Sequence, residues 1–129
     1  MAYPNFKHLP LYQKALDLSE MAQAIASYIS FNKDMKKLCS SNSFRDNLAH
    51  ALLTDSVLIP EKIQAATHTH CQRERIQAAS FIQIIIKNIN SYCLGLEKDG
   101  IKEVEYLNLL RKEVKSFKKS FKVWRRSQI

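Results

Sequence analysis

Between Leu107 and Trp124 the apolar residues Leu107, Leu110, Val114, Phe117, Phe121 and Trp124 recur at intervals of three and four. A strand sends successive side chains to opposite sides, so this spacing gathers all six on one face only in an α-helix. The same stepping runs through Leu11, Ala15, Leu18, Ala22, Ile25 and Ile29. It returns in Ala78, Phe81, Ile82, Ile85, Ile86, Ile89, Tyr92, Cys93 and Leu96, and more sparsely in Leu48, Leu52, Ile59, Ile63 and Ala66. Two glycines and three prolines in 129 residues leave little room for a turn-rich β fold. The chain is therefore expected to be all-α, more than 60% helical and without sheet. Helices are predicted over about 11–30, 44–66, 72–96 and 102–126. They form an up-down-up-down four-helix bundle in a single domain over 1–129.

The connections follow from residues that interrupt the period. "FNKDMKKLCSSNS" (31–43) reads as an irregular link between the first two helices, and "THTHC" (67–71) as a turn. In "EKDG" (97–100), Gly100 is free to take positive φ. Pro60 falls inside the second helix, where a missing N–H and a ring clash predict a kink or break.

Charge is concentrated in one place. Eight of the twenty Lys and Arg, but one of the twelve acids, lie within residues 111–126. That segment carries +7 of a net +8. On a helical wheel Arg111, Lys112, Lys115, Lys118, Lys119, Lys122, Arg125 and Arg126 fill an arc of about 140° beside the apolar stripe. Glu113, the one acid, points elsewhere. Like charges three and four residues apart repel by a few tenths of a kcal/mol per pair, so a face of this kind implies an anionic partner rather than a solvated surface. A membrane surface is disfavoured, because the apolar stripe is used up inside the bundle. Nucleic acid is preferred: contacts to phosphate, with RNA and with DNA alike, and little sequence specificity, since no aromatic residue lies within the basic arc.

Two further apolar features suggest self-association. The third helix is apolar over about 140°, more than one bundle face needs, and the fourth carries a separate strip of Leu109, Ser116, Ser120 and Val123.

Catalytic and metal-binding arrangements are not evident. There is no glycine-rich phosphate loop, no Ser/His/Asp spacing and no pair of carboxylates on one apolar face. Asp55 and Glu61 diverge by about 120° around their helix. His68, His70 and Cys71 lack a second ligand pair and are read as a polar turn, so no metal, cofactor or enzymatic activity is expected. Asp55 lies near the inner stripe of the second helix. It either contacts a neighbouring helix or partner, or reaches water or a free N–H at a bend by Pro60, the second being preferred. Three cysteines without framework spacing, and a polar "MAYPNFKHLP" opening, are consistent with reduced thiols in the cytoplasm.

"NFKHLPLYQKALDL" and the Ile-Pro phrase in "DSVLIPEKIQAA" resemble the four-helix-bundle family of the ribosomal intervening-sequence proteins. The closing "SFKKSFKVWRR" looks most like one branch of it, the accessory variability determinants of diversity-generating retroelements. The other branch follows its Ile-Pro with Asn-Ile-Ala-Glu-Gly, whereas Lys62, Ile63, Gln64, Ala65 and Ala66 stand here without the Glu or the Gly. The resemblance implies a homopentameric, non-enzymatic, basic bundle. It would bind a reverse transcriptase and its template RNA and support mutagenic cDNA synthesis. The alternative it leaves is a scaffolding bundle of the intervening-sequence type that binds RNA or an acidic protein partner.

Overall fold

The computed structural model describes residues 6–128. Of these, 85% are helical and, among the described residues, none forms a strand. A 3-10 turn, Phe6–His8, leads into α1 (Pro10–Ile29), followed by a short α2 (Met35–Ser40), then α3 (Phe44–Thr67), α4 (Gln72–Lys98) and α5 (Val104–Gln128). Pro10 occupies the first turn of α1, where its missing N–H has no helical acceptor to lose. The Ser43 side chain caps α3 by accepting from the Asp46 N–H at 3.3 Å.

The four long helices stand in a ring in which α3 lies between α1 and α4, and α5 between α4 and α1. Side-chain pairs fix their directions. Arg45 at the start of α3 meets Asp99 just past the end of α4, and Arg111 early in α5 meets Glu97 late in α4. Tyr28, late in α1, packs edge-on against Tyr106, early in α5, at 5.1 Å. Phe6, just ahead of α1, packs edge-on against His68 at the end of α3. Neighbours are antiparallel throughout, as an up-down-up-down bundle requires. All six stripe residues of α5 are buried, and they join Leu18, Leu52, Ile59, Ile63, Ile82 and Ile89 in one core. Gly95 lets α3 approach α4 closely, since a Cβ there would stand 3.0 Å from Leu48 Cδ1.

Two helices end in the same motif with different residues. After α4, Gly100 at φ 86° lets the Ile101 N–H reach the Leu96 carbonyl and its own N–H reach Glu97. After α1, Phe31 takes that position at φ 56°, with the Asn32 N–H bonded to the Ser27 carbonyl at 2.7 Å. A phenylalanine in the left-handed region is strained, and its ring is 82% exposed.

The structure corrects several expectations. α3 runs through Pro60 without a break. Pro60 is itself buried, and one lost backbone bond is outweighed by a helix face held between α1 and α4. The 31–43 link is partly helical: Asp34 accepts from the Lys37 N–H at 2.8 Å to start α2, and Leu38 is buried beneath the segment. In α4 the inward arc is narrower than the wheel suggests. Phe81 is 39% exposed, beneath the Lys62 ammonium at 4.6 Å, and Tyr92 is only partly buried. Asp55 accepts from Tyr92 Oη of α4, so it contacts a neighbouring helix rather than a free N–H at a bend.

Candidate nucleic-acid interface

Burial of the α5 stripe fixes the helix's rotation, and the adjacent basic arc then has to face outward. Of the eight predicted residues, Lys112, Lys115, Lys118, Lys119, Lys122 and Arg126 are exposed. Among the described residues none of these six has an ion-pair partner. The other two are held from below by α4. Arg111 pairs with Glu97 at 2.5 Å and also donates to Asn108 Oδ1 at 3.1 Å. Arg125 Nη1 donates to Gln83 Oε1 at 2.7 Å. The repulsion along the face is thus relieved at one point by an acid from α4, not by Glu113. Six cations stay available to an external anion.

The basic arc forms a ridge with a groove on either side. Between α4 and α5 lies a cavity of about 290 Å³. Lys87, Lys118, Lys122 and Arg125 bring four cations to it, with Gln83 and no acid among its lining residues. Lys87 is the member that the sequence reading missed. It stands apart from the other basic residues in the sequence and no motif marks it; only the packing of α4 on α5 brings it to the ridge.

Between α1 and α5 lies a second groove of about 430 Å³ and different character. Leu9, Pro10, Leu11, Val123 and Trp124 line it, with Lys119 and Ser120. Part of the small-residue strip of α5 therefore faces this groove. One turn away, Lys14 Nζ donates to Ser116 Oγ at 2.8 Å, bringing a cation from α1 to the same side. Val123 is 68% exposed, and Trp124 is 8% exposed.

Other candidate features do not gather chemistry in this way. At the opposite end of the bundle, a cavity of about 790 Å³ includes Tyr28, Phe31, Arg45, Lys102 and Glu103 in its lining, but the Arg45 guanidinium is engaged by Asp99 at 2.9 Å. A hydrogen bond to Glu103 pushes the Tyr28 phenol above its ordinary range. His68 Nδ1 lies 2.8 Å from the Gln64 carbonyl oxygen, while His70 and Cys71 are exposed. Among the described residues no three His, Cys, Asp or Glu side chains converge as metal ligands. Among them, too, no helix is long and apolar enough to cross a membrane.

The α5 ridge can therefore do one thing well: present an array of fixed, solvent-facing positive charges at helical spacing to a polyanion. Comparison with protein-family models, with curated proteins and with solved structures returns no match to this chain.

Proposed function

We propose that this chain is a non-enzymatic accessory protein of a diversity-generating retroelement. In this reading it is a basic helical bundle that binds the reverse transcriptase and its template RNA and supports mutagenic cDNA synthesis. The observation that carries the nucleic-acid part is the set of six exposed, unpaired cations on one helix whose rotation is fixed by a buried stripe. Lys87 extends that field onto α4. The retroelement and the reverse transcriptase come from the resemblance of the opening, Ile-Pro and closing segments. Assembly as a homopentamer is part of the same proposal. It is supported by apolar residues that α4 and α5 turn outward, Ile84 at 57%, Leu94 at 49% and Leu109 at 50% exposure.

Salt dependence tests the ridge. If all six free cations engage phosphates, log affinity for single-stranded RNA should fall with log salt at a slope of about −4. Replacing Lys115, Lys119, Lys122 and Arg126 by Glu should abolish binding while leaving helix content and assembly unchanged. Light scattering should report close to five times the 14.9 kDa chain. A charge-reversed variant that holds RNA with wild-type affinity would instead favour a scaffolding bundle whose partner is a protein.

A further inference from the structure

We infer that the α1/α5 groove receives a nucleobase, so that the interface engages single-stranded nucleic acid through its bases as well as its phosphates. The inference rests on the phosphate-binding reading of α5 and adds a ligand class to it. Two observations carry it. The groove is largely apolar, with Trp124 and Val123 of α5 facing Leu9, Pro10 and Leu11. The α5 wall also holds Lys119, which belongs to the phosphate ridge, and Lys112, Lys115 and Arg126 follow along the same flank of α5.

A strand whose phosphates track this ridge has its bases directed to one flank or the other. On the α4 side they would meet Lys87, Lys118 and Arg125, a cationic surface that favours phosphate. On the α1 side they meet an apolar slot at the foot of Lys119. Stacking a base against an aromatic or apolar wall tolerates any sequence, because every base offers a π-face. A paired duplex keeps its bases stacked inside and gains nothing from the slot. Charge on one rim and apolar aromatic surface below it is the combination expected of a single-strand track, and a purely phosphate-binding ridge would not need the second part.

Trp124 is the only tryptophan in the chain, so its emission reports directly on this groove. The full chain, in its native assembly, is titrated with a single-stranded oligothymidylate, an abasic deoxyribose-phosphate oligomer of equal length, and a duplex of the same length. The oligothymidylate should quench Trp124 and bind about tenfold more tightly than the abasic oligomer. The abasic oligomer and the duplex should bind without quenching. Ser120→Phe, which fills the slot, should reduce oligothymidylate affinity to the abasic level and leave duplex affinity unchanged. Val123→Gln, at a 68% exposed position that cannot disturb the core, should act in the same direction and serves if Ser120→Phe misfolds. Equal affinity for oligothymidylate and abasic oligomer, or equal quenching by duplex, overturns the base slot and leaves the phosphate ridge standing. Failure of all three probes to bind removes the ridge and the slot together.

Discussion

Tyr92 Oη donates a 2.5 Å hydrogen bond to Asp55 Oδ2, tying α4 to α3 across 37 positions of chain. Burial, and then the hydrogen bond to Asp55 and its negative charge, push the Tyr92 phenol up from its ordinary 10.0 to about 12. The folded state therefore holds this proton more tightly than the unfolded chain. The stabilisation is fully present below pH 10.0 and is lost as pH rises through about 12. Tyr92→Phe should cost about 1–2 kcal/mol at neutral pH by leaving Asp55 without its donor. It should also remove this increment of alkaline sensitivity, as denaturant titrations at increasing pH would show.

Phe31 predicts an unusual gain. At φ 56° it holds the position that Gly100 fills after α4, and its ring is 82% exposed, so little burial offsets the strain. Phe31→Gly should raise stability by about 1 kcal/mol, strain relief outweighing the added freedom of the unfolded chain. A lower denaturation midpoint for the variant would show that the Phe31 ring makes a contact worth more than the strain.

Asp46 is an acid-sensitive fastener. Its carboxylate, 4% exposed, accepts from Lys33 Nζ at 2.6 Å and from Ser41 Oγ at 2.8 Å, clamping the α2 segment onto α3. The Lys33 hydrogen bond, then that of Ser41, holds this carboxyl below its ordinary 3.8. Such a group contributes stability above its unfolded value and loses it as pH falls through the lowered one. Asp46→Asn should cost about 1–3 kcal/mol at neutral pH. In acid, below the ordinary carboxyl range, variant and wild type should converge in urea midpoint.

The three thiols should separate by reactivity. Cys39 and Cys71 are exposed, whereas Cys93 is fully buried and its thiol is pushed up to about 11, chiefly by burial. Native protein treated briefly with an alkylating reagent at neutral pH should gain two adducts by mass spectrometry, and unfolded protein three. A fast third adduct would mean that α4 opens locally at Cys93.

What the sequence made legible was what one helix decides by itself. The α5 stripe, from Leu107 to Trp124, is wholly buried, and the basic arc is outward because the stripe is inward. The width of a face is set by neighbours, and there the wheel failed: Phe81 and Tyr92 sit at the rim of the α4 arc. Pro60 did not break its helix, which is packed on two sides. α2 is too short for periodicity to reveal, and only the Asp34 cap marked it. The parts of the interface that join two helices were invisible: Lys87 beside Lys122, Glu97 beneath Arg111, and the slot between Pro10 and Trp124. Each depends on which flank of one helix abuts which flank of another, and no single segment encodes that.

The ring has one seam. Three of its four interfaces join helices consecutive among the long four: α3 with α4 and α4 with α5 across short loops, and α1 with α3 across the link that carries α2. The fourth, α1 on α5, closes the circle between residues such as Lys14 and Ser116, 102 positions apart. Loop-closure entropy grows only logarithmically with length, so the seam is a modest barrier and a mostly local topology should refold in microseconds to milliseconds. The cationic cleft between α4 and α5 can exist as soon as that hairpin forms. The apolar slot lies on the seam itself, and comes into being only with the last closure that completes the fold.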